Sequence, residues 1–123
     1  IEDVAVPRSR LPDAVAAIAE ISRRSETRYG IRIATMAHAG DGNLHPILVL
    51  EPGRDLDEHA WETAGEVFTT ALALGGTLTG EHGVGLLKRR WLTDELGADV
   101  LALQRDLRAV FDPHAILNPG KAL

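Results

Sequence analysis

The chain contains no cysteine, which excludes disulfide bridges and thiolate metal sites together. Aromatic residues are few, two Trp, one Tyr and two Phe in 123 residues, and no stretch interleaves them with basic side chains. Lys and Arg number 13 against 18 Asp and Glu, for a formal charge of −5. An acidic chain without a basic, aromatic face is a poor binder of nucleic acid. No apolar run approaches the roughly 18 residues of a membrane span, and no signal peptide is visible. What remains is an ordinary globular mixture, 45% hydrophobic and 25% charged, of about one domain's length. A cytoplasmic protein is expected. Ile1 opens inside what reads as a strand, where a natural start would carry Met, so a piece of a longer protein is expected.

Elements follow from punctuation and periodicity. "EDVAVP" (2–7) is a short β-branched run closed by Pro7. Pro12 suits a first helical position and Asp13 the first turn, where the helix dipole favours it. Leu11, Val15, Ile18 and Ile21 then recur at helical spacing up to about Arg28, and Gly30 ends the run. "IRIATMAHAGDGNLHPILVLE" is β-rich on both sides of "GDGN", a hairpin signal with Asp41-Gly42 at the tip. A loop over 51–55 leads to a cap at Asp55 or Asp57. The helix after it carries Trp61, Ala64, Val67, Phe68, Ala71 and Leu74 inward and stops at Gly75-Gly76. "TLTGEHGVG" reads as a short strand entering a glycine-flanked turn. Val100, Leu103, Leu107, Val110 and Phe111 mark a last helix, ended by Asp112-Pro113 before an irregular tail. The expected fold is therefore α+β: a ferredoxin-like β-α-β-β-α-β antiparallel sheet with helices on one face, plus a C-terminal helix and tail.

The hairpin holds two of only five histidines. If Asp41 and Gly42 form a two-residue turn, His38 stands directly opposite His45. Such partners share a face with Cβ atoms about 5 Å apart, and both rings can then reach one metal ion at about 2.1 Å per bond. Histidines beside a turn more often face water or accept a simple hydrogen bond, so the pair alone assigns nothing. The glycines have their own reason to be there, since a tight turn needs positive φ.

A third element changes the balance. "TGEHGVG" sets Glu81 beside His82 between Gly80, Gly83 and Gly85. In a regular strand adjacent side chains point to opposite faces, but a glycine-flanked bend lets both approach one cavity. Two histidines and a carboxylate form a common metal set with open positions. His82 is then free to act as a base, imidazole titrating nearest neutral pH. The bland alternative is a strand end with polar residues in water. His59, in a first helical turn, reads as exposed, and His114, in a turn after "DP", as a helix-end residue. "LKRRW" (87–91) reads as a solvated helix face, and Trp61 as core.

Together, "HAGDGNLHP" (38–46), "GEHGVG" (80–85) and "FDPHAILNPGK" (111–121) resemble the C-terminal domain of FAD-linked oxidases. These are flavin-dependent 2-hydroxyacid dehydrogenases of the vanillyl-alcohol-oxidase type, and the resemblance points to their glycolate oxidase and D-lactate dehydrogenase branch. It spans nearly the whole chain. It implies a cap for a separate, upstream FAD-binding domain, itself absent here, and a small 2-hydroxy acid as substrate. By the same resemblance His38, His45 and Glu81 match the ligands of a divalent metal, zinc, manganese or iron, and His82 matches the catalytic base. Asn118 matches a segment that returns to the flavin, and Lys121 belongs to the same motif. Basic residues that grip the substrate carboxylate in some relatives would lie before Ile1. Hydroxyglutarate-type relatives carry Asn two residues after the second histidine; Ile47 stands there here, which implies a smaller substrate such as glycolate or D-lactate. The isolated chain is expected to be inactive.

Two other readings of these residues compete. One is a non-catalytic ferredoxin-like association module, forming a homodimer through an exposed edge or a face left uncovered. The other is a free-standing metal-dependent hydrolase, which two histidines and a glutamate can also serve.

Overall fold

A computed structural model describes residues 2–122. The chain packs as two compact units, Ile1–His82 and Gly83–Leu123.

The first unit holds three strands, β1 (Val4–Ala5), β2 (Arg32–His38) and β3 (Asn43–Val49), and two helices, α1 (Leu11–Tyr29) and α2 (Glu58–Ala73). The strands form one antiparallel sheet in the order β1-β3-β2. The two helices pack on one another, α1 also on β2 and α2 on β1, which puts both on the same side of the sheet.

Local chemistry accounts for the helix ends. Pro12 sits in the first turn of α1, and Arg10 Nε donates to Asp13 at 2.8 Å. Gly30 closes α1 in the left-handed region at φ 69°, a conformation that costs glycine nothing. The buried stripe of α1 is Ala14, Ile18, Ile21 and Ser25. Val15, expected on that stripe, is 46% exposed, because it lies about 100° around the axis from Ala14. Ser25 is held inside by donating from Oγ to the Ile31 carbonyl at 2.7 Å. In α2 the cap is Asp57, whose Oδ1 accepts from Ala60 N at 3.0 Å. Ala60, Thr63, Ala64, Val67, Phe68 and Ala71 are its buried face, while Trp61 and Leu74 are only half-buried. Phe68 is fully buried, worth about 1.5–3 kcal/mol against leaving it in water.

The sheet separates two environments. Val4 pairs with Leu44, and both are apolar and buried. The residues that alternate with them, Asp3, Ala5, Asn43 and His45, point to the opposite face. The fourth strand expected at "TLTGEHGVG" is reduced to one antiparallel bridge, Ala5 to Thr77. Ala5 exchanges both backbone bonds with Thr77 (3.2 and 2.8 Å), while Glu2 and Val6 donate to Pro46 and Gly42 of the β3 side. Thr77 therefore lies on the edge of β1 away from β3. Beyond it Thr79 and the glycine-flanked turn abandon the ladder for side-chain partners.

The second unit contains a 3₁₀ turn (Arg89–Trp91) and α3 (Leu92–Phe111). Gly97, at φ 75° and ψ 164°, breaks α3 near its start. Lys88, Leu92 and Leu101 are buried, whereas Leu103, Leu107, Val110 and Phe111 are exposed. Arg90 places its guanidinium 4.0 Å over the Trp91 ring. Asp112 organises the tail: Ile116 N and Leu117 N each donate to its carboxylate at 2.9 Å. No helix is long and apolar enough to cross a membrane among the described residues.

Candidate functional site

The hairpin forms as expected, in a different register. A four-residue turn, 39–42, joins β2 to β3, with Asp41 N and Gly42 N both donating to the His38 carbonyl at 3.0 and 3.1 Å. His38 pairs with Asn43, and His45 with Met36. The two-residue turn is thus corrected to four residues, and the pairing moves by two positions. A slip of one would send His45 to the other face; a slip of two keeps it on the same face, diagonal to His38. The rings meet edge to face, with centroids 5.2 Å apart.

The turn is set by contact with β1. Val6 N donates to the Gly42 carbonyl at 3.0 Å. Gly42 has φ 79°, and a Cβ there would stand 2.1 Å from the Val6 oxygen. Only glycine permits this approach.

The segment after Thr77 brings the second half of the site. Glu81 Oε1 lies 3.1 Å from His45 Nε2, 3.6 Å from His38 Nε2 and 3.8 Å from His82 Nε2. The His82 ring stacks on His45 at 5.1 Å and 16°. The bend does what a regular strand cannot, turning adjacent side chains toward one place. Ligand atoms of His38, His45 and Glu81 all fall within 4.8 Å of one another, and so do those of Asp3, His45 and His82. His45 is the shared, buried member, with 11% of its side chain exposed against 57% for His38 and 49% for Glu81.

Asp3 is the residue that sequence reasoning missed. It is wholly buried, and its carboxylate accepts from Thr79 Oγ1 (2.6 Å) and from the backbone N–H groups of Gly80, Glu81 and His82 (2.9, 3.2 and 3.1 Å). Its Oδ1 lies 3.9 Å from His45 Nδ1. The one sequence cue was an acid inside a short apolar strand, with nothing to link it to residues 76 or more positions away. Asn43 packs against Gly80 of the turn, where a Cβ would fall 2.2 Å from Asn43 Oδ1. Asn43 Oδ1 and His45 Nδ1 are buried with no hydrogen-bond partner among the described residues. Unpaired buried polar atoms are uncommon and concentrate at functional sites.

The other sequence candidates fall elsewhere. His59 stacks on Tyr29 at 4.2 Å and contacts Glu62 at 3.3 Å. His114, Asn118 and Lys121 belong to the second unit and are exposed. There Asn118 adopts φ 46°, and its carbonyl accepts from Lys121 N at 3.2 Å.

A cluster of three imidazoles and a carboxylate on the open face of a small sheet suits metal chelation or proton transfer. Comparison with known proteins gives it a context. The chain is 43% identical over 122 residues to the glycolate oxidase subunit GlcD of Bacillus subtilis, covering 98% of this chain and 25% of that protein. It is 34% identical over 124 residues to the mitochondrial D-lactate dehydrogenase [cytochrome] of Arabidopsis thaliana, covering 100% of this chain and 21% of that one. To the D-lactate dehydrogenase of Archaeoglobus fulgidus it is 40% identical over 111 residues, 88% of this chain and 24% of the relative. The chain spans about a quarter of the length of these relatives. Residues 1–122 match the family described as FAD linked oxidases, C-terminal domain, and the chain belongs to that family.

Proposed function

We propose that this chain is the substrate- and metal-binding cap of an FAD-dependent D-2-hydroxyacid dehydrogenase, of the glycolate or D-lactate type, whose flavin sits in a domain upstream. One observation carries the reading: Glu81 Oε1 stands 3.1 and 3.6 Å from the facing Nε2 atoms of His45 and His38. Ligands 2.1 Å from a tetrahedral ion lie about 3.4 Å from one another, so these separations fit one divalent ion. The donor set, imidazole with carboxylate, suits zinc, manganese or iron. Held by His38, His45 and Glu81, such an ion would supply positive charge for binding a hydroxy acid and lowering its hydroxyl pKa. The flavin supplies the two-electron acceptor.

The chain's own residues supply the rest. His45, buried and stacked on His82, is the rigid member; His38 and Glu81 close on it from the hairpin and the turn. The His82 imidazole, 46% exposed, takes the hydroxyl proton as the Cα hydride leaves, and the product is the 2-oxo acid. Ile47 lies on the same face of β3 as His45, two residues on, and is half-buried. An apolar wall there favours a small substrate over one with a second carboxylate. The order β1-β3-β2, with Thr77 bridged to the free edge of β1, supports a ferredoxin-like plan whose last strand is one bridge long. Exposed Leu107, Val110 and Phe111 on α3 suit an apolar partner surface, which the upstream domain would provide. Asn118 and Lys121 are assigned to the flavin side.

Divalent metal bound to the purified chain is the test, read by elemental analysis after dialysis. About one ion per chain, lost in His38→Ala and Glu81→Ala, is expected. Equal metal content in the variants overturns the ligand assignment.

A further inference from the structure

The turn that carries Glu81 and His82 is tied to a residue far from it in the sequence. Thr79 and the three residues after it make no strand ladder, and glycines at 80 and 83 remove local stiffness. Yet Gly80 N, Glu81 N and His82 N converge on a single carboxylate, that of Asp3, with Thr79 Oγ1 as a fourth donor. On its other side the turn abuts Asn43, so closely that Gly80 has no room for a Cβ.

We propose that Asp3 is the positioning residue of the site: it folds the 79–82 turn onto the hairpin and thereby aims Glu81 and His82 at His45. All four donors reach Asp3 Oδ2, and Glu81 N is shared with Oδ1 at 3.2 Å. The turn thus holds Asp3 chiefly through Oδ2, with ligand atoms of Asp3, His45 and His82 within 4.8 Å of one another. Its Oδ1 also faces His45 Nδ1 from 3.9 Å, too far for a hydrogen bond but close enough for its charge to favour the ring orientation that turns Nε2 to Glu81. One buried acid at the start of β1 therefore governs both the turn and the hairpin histidine. Outer partners of this kind tune a metal site through its ligands.

Two readouts test this, one of which is independent of metal. Residues 80–82 are exposed, so without Asp3 their amides would exchange freely. In the wild-type chain these three amides are expected to exchange at least tenfold more slowly than unstructured ones; free exchange overturns the proposal. In Asp3→Asn, which loses the charge and sets an NH₂ in place of one oxygen, their protection is expected to fall severalfold, and Co²⁺ affinity, read from its visible absorption, about 10- to 100-fold. Val67→Ala, a core substitution away from the turn, is expected to lower the melting temperature with Co²⁺ affinity unchanged. Retained protection in folded Asp3→Asn, affinity within twofold of wild type, or an equal loss of affinity in Val67→Ala overturns the proposal. The metal-binding part rests on the proposed function. If the wild-type chain binds no Co²⁺, that reading fails, and amide protection alone decides the role of Asp3. If Asp3→Asn does not fold, the wild-type exchange pattern decides.

Discussion

Glu81 and His45 meet at 3.1 Å, Oε1 to Nε2, although 36 residues separate them and neither lies on an element that pairs with the other's. The contact is made from two sides. β3 fixes His45 through a ladder with β2, and Asp3 fixes the Glu81 turn through backbone N–H groups. A rigid, buried imidazole is met by a mobile class of side chain, a carboxylate on an exposed turn. That division of labour separates what each residue does for stability from what it does for the site.

The two hairpin histidines should therefore respond differently to truncation. His38 is more than half exposed and His45 is buried. His38→Ala is expected to leave stability within about 0.5 kcal/mol, the usual range for surface changes, whereas His45→Ala costs about 1–3 kcal/mol. Both should lose divalent metal. Urea unfolding beside metal titration separates the two effects, and an equally large loss of stability in His38→Ala would contradict the assignment of His45 as the rigid member.

Much of this was readable beforehand, for identifiable reasons. Gly30 and Asp57 act within one helical turn, so local rules place them. The hairpin came from β-branched residues flanking "GDGN". Its register did not, because turn length depends on Val6 N reaching the Gly42 carbonyl, a contact 36 positions away. His38 and His45 still share a face, since the observed register differs from direct pairing by an even number of residues. The fourth strand stops short for a related reason: "TLT" has strand composition and Thr77 bridges Ala5, but beyond it the N–H groups of Gly80, Glu81 and His82 go to Asp3 instead of a ladder. Ala14 and Val15 differ by one position in α1, and apolar character alone could not say which faced inward.

Gly42 and Gly30 form a pair with opposite expectations. Both have positive φ, 79° and 69°, but a Cβ at 42 meets the Val6 oxygen at 2.1 Å while one at 30 meets nothing within 4 Å. Gly30→Ala should cost about 1–2 kcal/mol, the price of the left-handed conformation alone. Gly42→Ala should cost about 2–4 kcal/mol, since backbone must also shift. Urea midpoints at an unchanged slope measure both. Equal costs would mean that β1 does not press on the turn.

Gly80→Ala tests the site from another direction. A Cβ there falls 2.2 Å from Asn43 Oδ1, so the turn or the amide must move. The expected result is at least a tenfold loss of Co²⁺ affinity, with the helical circular dichroism unchanged. Gly80→Ala combined with Asn43→Ala should recover part of that loss, because the obstructing amide is gone. A double variant no better than the single one would place the fault elsewhere.

Acid should loosen the tail before it unfolds the helices. The Leu117 N–H, and then the Ile116 N–H and the Arg108 charge, hold the Asp112 carboxyl below its ordinary value of 3.8 against the opposing effect of burial. A depressed folded pKa means that the stabilisation is complete above the unfolded value and is lost as pH falls through the folded one. The amide signals of Ile116 and Leu117 should therefore shift together as pH drops below about 4. In Asp112→Asn the same amides should sit at altered positions already at neutral pH and show no such transition. A wild-type transition centred above pH 4 would reverse the sign and remove these hydrogen bonds as its cause.

The apolar residues of α3 predict the behaviour of the chain on its own. Leu107 is 52% exposed, Val110 74% and Phe111 81%, on a helix otherwise rich in charge. Apolar side chains clustered in this way mark a surface that is normally covered. Prepared as residues 1–123 alone, the chain should self-associate in sedimentation and enhance the fluorescence of an apolar dye. Leu107→Glu with Phe111→Glu should abolish both while leaving metal bound at His38, His45 and Glu81 unchanged, since those residues belong to the other unit. A monomer at all concentrations, with no dye response, would show that α3 needs no cover. Loss of metal in the double variant would instead show that the two units depend on each other.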